Sequence, residues 1–152
     1  MIQPFLWSDA FSVGDAGLDD EHRRIVELIN EICISADAGQ RQRGILLLSE
    51  LQFFSEVHFR NEEVVLARIA SEIDQQHLHT VVQSAVEQHA RMHRWELYKL
   101  HKLVENARAS KGQLQHPTLC DNLKTWFIDH AVGPEAQVKT ILQSTHHFDQ
   151  VK

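Results

Sequence analysis

Residues 47–69 place a histidine and a glutamate on the apolar face of a predicted helix. Leu51 and Ile69 belong to a face that repeats every three or four positions, and His58 and Glu62 lie on the same face. Burying a carboxylate and an imidazole costs free energy unless each group is paired. A fold for this chain therefore has to bring compensating groups to these two side chains inside a helical core.

Four segments show the apolar spacing of amphipathic helices, and no stretch alternates apolar and polar residues as a strand would. The breaks between these segments fall at Gly39, at a turn over residues 71–75 and in the stretch from Ser110 to Pro117. The predicted helices cover about residues 19–38, 42–69, 76–109 and 119–132.

Four long helices with short connections predict an all-α, up-down-up-down four-helix bundle. An N-terminal arm of about 18 residues precedes the bundle, and a short helical tail follows it. The length of 152 residues predicts one domain, residues 1–152, that buries a core of its own.

Charge and composition disfavour several classes of protein. The chain has 21 acidic residues against 15 Lys and Arg, which argues against a nucleic-acid or anionic-membrane surface. The N-terminus does not resemble a secretory signal, and no segment is apolar enough to enter a membrane. Cys33 and Cys120 are too few for a disulfide framework or a thiolate metal site. We expect two free thiols in a reducing cytoplasm, with a single disulfide left open.

Eleven histidines are many for this length, and five of them fall on inward helical faces. His89 and His93 lie one turn apart on one face of the third helix, as His58 and Glu62 do on the second. His22 and His58 lie at nearly equal distances from Gly39, so antiparallel helices would bring them to the same height. The candidate metal ligands are His22, His58, Glu62, His89, His93, His130 and Glu135.

Five imidazoles and two carboxylates in a dry interior match two first-row transition-metal ions. Nitrogen-rich ligation with carboxylates favours iron over magnesium or calcium, which prefer oxygen ligands. A mononuclear zinc site would use only four donors and leave the others buried without a function. Two metal ions would also compensate the buried charge of Glu62.

Three groups of residues form a recognisable pattern in their order along the chain. They are Trp7, Gly14 and the run Leu18-Asp19-Asp20-Glu21-His22, then His58-Phe59 with Glu62-Glu63, then Trp126-Phe127-Ile128-Asp129-His130 with a carboxylate at Glu135. These motifs resemble the hemerythrin family, specifically its single-domain bacterial type, the bacteriohemerythrins. The resemblance covers most of the chain, and its specificity lies in the order and spacing of the motifs.

The resemblance implies a non-haem di-iron centre with an oxo or hydroxo bridge and O2 as its ligand. It implies that His22 and His58 hold one iron, which keeps an open position for O2. The remaining ligands it implies are His89, His93 and His130 on the other iron, with Glu62 and Glu135 bridging the two.

The third helix departs from the family pattern. A shorter interval after the glutamate, as the family has, would place the histidine pair near His77, but Val81 stands where a partner one turn on is needed. His77 would also lie about 18 Å from His89 along a helix. We therefore assign His89 and His93, and predict an insertion that lengthens the second and third helices, with His77 and His79 solvated.

The last carboxylate is the second departure, because Glu135 stands where the family usually has aspartate. Residues five apart on a regular helix point in different directions, so Glu135 needs a break after His130 to reach the same site. Gly133 and Pro134 supply that break. The longer side chain leaves open whether Glu135 bridges both ions or binds one.

The other histidines and aromatic residues are predicted to be structural. The surface or turn histidines are His101, His116, His146 and His147. The aromatic residues predicted to be core are Phe53, Phe54, Trp95 and Trp126.

Three functions fit these residues. The leading one is a monomeric, non-enzymatic protein that binds O2 reversibly for storage, delivery or buffering, with an oxygen-consuming enzyme or a sensor as its protein partner. The second is a sensor of O2, redox state or iron that acts through a partner. The third, a di-iron oxidase or peroxidase, is disfavoured because such sites in ferritin-like bundles are rich in carboxylates.

Overall fold

A computed structural model of the chain describes residues 3–73, 76–133 and 135–149, and the side chains of all these except 77, 78, 135 and 144–149. These ranges contain helices and no strand, so the all-α prediction is confirmed. Within them, no helix has an apolar run long enough to cross a lipid bilayer. The elements are a 3-10 turn at Asp9–Phe11 and helices α1 (Ala16–Asp37), α2 (Arg41–Ser71), α3 (Gln76–Ala109), α4 (Thr118–Val132) and α5 (Glu135–Asp149).

Helix α1 begins earlier than its acidic residues at 19–21 predicted. Asp15 caps the helix, since its Oδ1 accepts a hydrogen bond from the backbone N–H of Leu18 at 2.9 Å. Gly39 follows the other end with a φ of +68°, in the left-handed region that glycine occupies without strain. The N-terminal arm is therefore shorter than the sequence predicted, and it ends at Asp15.

Helices α1 to α4 form a four-helix bundle in which each helix packs mainly against two of the other three. Helix α1 packs against α2 and α4, and α3 packs against the same two helices. Glu21 bonds to His58, whereas Arg24, further along α1, bonds to Glu50, which lies earlier in α2. These two pairs run in the order expected of antiparallel neighbours. Helix α5 packs against α4 and α2.

The buried apolar residues form two clusters, one on each side of the histidines. The larger cluster includes Ile25 and Phe59, and the smaller one includes Leu18 and Leu66. His22 lies between Leu18 and Ile25 on α1, so the polar layer to which it belongs has apolar packing above and below. That packing keeps the layer dry.

The N-terminal arm is held by two side chains of α1. Asp19 accepts hydrogen bonds from the hydroxyl of Ser12 at 2.6 Å and from the backbone N–H of Val13 at 2.8 Å. Asn30 accepts from the backbone N–H of Phe5 at 2.7 Å and donates to its carbonyl at 2.8 Å. These four hydrogen bonds fix the arm along the helix that carries the first candidate ligand.

Cys33 of α1 and Cys120 of α4 form a disulfide, with their Cα atoms 5.7 Å apart and both side chains buried. The expectation of two free thiols is therefore wrong. The cysteines lie 87 residues apart, and only the packing of α1 against α4 brings them together. The cytoplasmic location stays a prediction, without the support that free thiols would have lent it.

The aromatic residues predicted to be core divide into two groups. Trp126 is buried, and Phe54 is partly buried against the larger cluster. Phe53 and Trp95 are 69% and 59% exposed, so the prediction is wrong for both. Trp95 instead stacks on Tyr98 one turn along α3, with ring centroids 5.6 Å apart, which covers part of its apolar surface without burying it.

Replacing Leu51 with alanine should lower the free energy of unfolding by about 2–5 kcal/mol, because this side chain is fully buried and its loss leaves a cavity. Leu46 lies on the same helix but is 71% exposed, so Leu46→Ala should change stability by less than about 0.5 kcal/mol. Denaturant titration of both variants measures the difference. Similar losses at the two sites would contradict the inner face assigned to α2.

Candidate metal centre

Six of the seven predicted donors lie together in the interior, between the two apolar clusters. None of the six is more than 1% exposed. All four helices of the bundle contribute, as the positions of these residues on apolar stripes predicted. The donors are His22 on α1, His58 and Glu62 on α2, His89 and His93 on α3, and His130 on α4.

Glu62 lies at the centre of this group. Its Oε2 is 2.9 Å from Nε2 of His93 and 3.9 Å from Nε2 of His58. Its Oε1 is 3.3 Å from Nε2 of His89. One carboxylate thus faces imidazole nitrogens from two helices, the arrangement that a bridging ligand between two ions requires.

The donor atoms form two adjacent sets of three, and within each set all atoms lie within 4.8 Å of one another. Nε2 of His130 is 3.4 Å from Nε2 of His58. His130 also belongs to a third set with His93 and Glu96, so it connects the two halves of the centre. How the donors would divide between two ions, and the presence of two ions itself, stay predictions. The two main sets are His22, His58 and His130, and Glu62, His89 and His93.

Four of the histidine rings make a hydrogen bond through Nδ1, the ring nitrogen opposite the candidate donor atom Nε2. An Nδ1–H that donates to a carbonyl or carboxylate leaves the Nε2 lone pair available to a metal and fixes the orientation of the ring. The protein therefore orients these four rings itself. The Nδ1 partners are the Phe11 carbonyl for His22 at 2.9 Å, Glu21 for His58 at 2.7 Å, Glu63 for His93 at 2.8 Å and Glu96 for His130 at 2.9 Å.

The three carboxylates among these partners were not among the predicted site residues. Glu96 could have been found, because it is an acid on the buried face of α3 one turn after His93, the same signal that singled out Glu62. Glu21 and Glu63 each adjoin a candidate ligand in the chain. Acidic residues are common at such half-exposed helix positions, so nothing in the sequence marks Glu21 and Glu63 as partners of the histidines.

Burial keeps two of the imidazoles neutral. It lowers the pKa of His22 to about 4, with help from the neighbouring His58, and it holds the pKa of His130 well below its usual value. Burial also disfavours the charged form of His93, but its hydrogen bond to Glu62 and the charge of that carboxylate outweigh burial and raise the pKa. Neutral imidazoles are the form that binds metal ions.

The donor set fits a bound cation. Nε2 of His22 is buried and has no hydrogen-bond partner among the residues that the structure describes. Buried polar atoms without partners are rare and costly, and a metal ion facing this nitrogen would satisfy it. The same ion would compensate the charge of Glu62. It would thus supply the compensating group that the burial of His58 and Glu62 on α2 requires.

Glu135, the seventh predicted donor, has a side chain outside the described residues, and so does His77. His79 was predicted to be solvated, but its Nδ1–H donates to the carbonyl of Ala70 at 2.9 Å and ties the start of α3 to the end of α2. His101 is exposed, as predicted. The roles of all seven candidate residues as ligands stay predictions.

The sequence of most of the chain matches a known family. A family model described as the hemerythrin HHE cation-binding domain matches residues 13–142. The chain belongs to the hemerythrin family. The resemblance predicted from the motifs is therefore confirmed, and the matched region of this hemerythrin domain contains the six buried donors and the three carboxylates behind them.

Two relatives agree with this assignment over nearly their whole length. Hemerythrin-like proteins from Naegleria gruberi and Naegleria fowleri are each 25% identical to this chain over 143 residues. The match covers 91% of this chain and 94% of each relative. A cation-binding hemerythrin domain accounts for the burial of so many donors in one layer.

The stability of the metal-free protein should depend on the protonation of His22. Its pKa is lower in the folded state than in the unfolded chain, so the unfolded state binds more protons between about pH 6.5 and pH 4. Relative to a His22→Gln variant, the wild type should lose up to about 3 kcal/mol as the pH falls through that range. Denaturant titrations of both proteins across it measure the change, and a constant difference between them would contradict the buried neutral state.

Proposed function

We propose that this protein holds two non-haem iron ions and binds O2 reversibly, as a store, carrier or buffer of oxygen and not as an enzyme. The observation that carries the proposal is the donor set: five buried imidazoles that share one interior layer with a buried carboxylate, Glu62. Membership in a family of cation-binding domains supports it. The site would take O2 as its ligand.

The number and type of donors favour two iron ions over one zinc ion. A tetrahedral zinc site uses four protein ligands, and the six described donors exceed that number. Imidazole nitrogen suits iron, whereas magnesium and calcium require oxygen ligands. When bound, a ferrous pair would supply an open coordination position and the electrons that reversible O2 binding uses.

The chain's own contribution is to orient ligands and exclude water. The ring of Phe59 stacks on His93, with centroids 4.2 Å apart and planes 8° from parallel. The ring of Phe127 meets that of His22 edge to face at 5.6 Å. Apolar surroundings of this kind disfavour the entry of water and the escape of charged oxygen species from the site.

The balance of nitrogen and oxygen donors argues against an oxidase. Ferritin-like di-iron sites use a glutamate from each of two helices and Glu-x-x-His pairs from the other two. The described centre has five histidines to one central carboxylate, and the remaining glutamates lie behind histidine rings. The donor set of this protein therefore resembles that of an O2-binding site more than that of an oxidase.

A sensor that acts through a protein partner is the second candidate. The observation that favours it is the exposed aromatic pair of Trp95 and Tyr98 on α3, the helix that also carries His93. Lys99 and Lys102 lie over these rings, 6.0 Å and 5.7 Å from the centroids. Aromatic surfaces flanked by cations are common in protein interfaces.

Anaerobic loading with Fe(II) followed by cycles of air and deoxygenation distinguishes the two functions. Reversible carriage predicts about two iron ions per chain and a visible absorption that appears with O2 and disappears on its removal, through many cycles. A rapid, irreversible oxidation would favour the sensor or a di-iron oxidase. A protein that takes up no iron would overturn both.

Replacing His58 with alanine should abolish loading of the iron pair, because it removes a donor and leaves Glu62 partly uncompensated. His101→Ala is the matched control: this histidine lies on α3 but is exposed and far from the donor layer, so iron content should not change. Metal analysis of the purified, Fe(II)-loaded proteins measures the outcome. Normal iron content in the His58 variant would refute its assignment as a ligand.

A further inference from the structure

Glu96 is a buried acid that receives two hydrogen bonds from α4. Its Oε2 lies 2.9 Å from Nδ1 of His130, and its backbone carbonyl accepts a hydrogen bond from Nε1 of Trp126 at 3.0 Å. Trp126 and His130 are one turn apart on α4, so the side chains of both can hydrogen-bond to the same residue of α3. The position of the His130 ring therefore depends on Glu96.

The two nitrogens of the His130 ring face different surroundings. Nε2 points toward the donor layer, 3.4 Å from Nε2 of His58, while Nδ1 faces Glu96. Glu96 could bind a metal together with His93 and His130, since the three offer donor atoms within 4.8 Å of one another. The hydrogen bond to Nδ1 instead places its carboxylate behind the ring, on the side away from His58.

We propose that Glu96 is a positioning residue: it holds His130 as the Nδ1–H tautomer and strengthens Nε2 as a donor to a metal ion in the centre. A carboxylate that accepts the Nδ1 proton draws that proton toward itself and makes the opposite nitrogen more basic. The part of this inference that concerns metal affinity rests on the proposed iron site. The part that concerns the tautomer stands without any metal.

The same hydrogen bond occurs at two other histidines, which makes the effect of burial measurable. Glu21 and Glu63 bond to His58 and His93 at similar distances, but their side chains are 24% and 38% exposed, against 6% for Glu96. Charges act more strongly on their neighbours where water is excluded. Loss of the Glu96 charge should therefore weaken metal binding more than loss of either of the others.

Nitrogen NMR of the metal-free wild type tests the tautomer. Burial raises the pKa of Glu96 to about 7, so the spectrum is recorded at pH 8, where the carboxylate is charged. The expected result is a protonated Nδ1 and an unprotonated Nε2 on His130, assigned by comparison with a His130→Gln variant. A proton on Nε2 in the wild type would overturn the proposal, because that tautomer cannot offer Nε2 to a metal.

Competition for Fe(II) against a chelator at the same pH 8, without oxygen, tests the donor strength. Glu96→Gln keeps the length and an accepting oxygen but removes the charge, and it should weaken iron binding by about 10- to 100-fold. It should also shift the midpoint potential of the bound iron to a more positive value, since a weaker donor stabilises the oxidised state less. Glu21→Gln and Glu63→Gln should cause smaller losses.

The controls separate charge from structure. Glu105→Gln changes an exposed glutamate of α3 that pairs with Lys102, and should leave iron affinity and potential unchanged. Circular dichroism checks that each variant folds. Two results would contradict the proposal. One is an equal loss of iron affinity in the Glu21, Glu63 and Glu96 variants, and the other is an unchanged midpoint potential in a folded Glu96 variant. Neither readout requires O2, so a failure of reversible O2 binding would be seen separately.

Discussion

The burial of Glu62 among imidazoles is the constraint on which the rest of this structure depends. A carboxylate that is fully removed from water needs compensating charge or hydrogen bonds. His58 of the same helix and His89 and His93 of α3 face its two oxygens. Nε2 of His22, in the same layer, is left without a partner among the described residues. Bound cations would satisfy both the carboxylate and the nitrogens, and binding them would then stabilise the fold.

The surrounding structure serves that layer in two ways. Apolar clusters above and below it exclude water, and polar groups behind the histidine rings fix their orientation. The N-terminal arm also orients a ring, because Asp19 anchors the segment whose Phe11 carbonyl accepts a hydrogen bond from His22. The arm therefore belongs to the site, although none of its residues is a candidate ligand. On the opposite side of the bundle, Glu96 plays the corresponding part for His130, because its carboxylate accepts a hydrogen bond from Nδ1 of that ring.

Most of the helical architecture and the burial of six candidate donors could be predicted from the chain, because helical periodicity determines which side chains face inward. His89 and His93 are one turn apart on such a face, and the structure buries both. Phe53 and Trp95 were predicted to be core because they are aromatic, but their positions on α2 and α3 face outward. The Cys33–Cys120 disulfide was also missed, since the closeness of two cysteines 87 residues apart follows from how α1 packs on α4.

Spacing along the chain is enough to show which residues can share a helical face, and hence that histidines and a glutamate are buried together. That information is local, since it depends only on spacing within one helix. The tertiary structure alone decided which groups stand behind each ring: Glu21 meets His58, Glu63 meets His93, and Glu96 meets His130 across helix interfaces. Such pairings depend on the relative height and rotation of packed helices, and side-chain volumes along the whole interface set both.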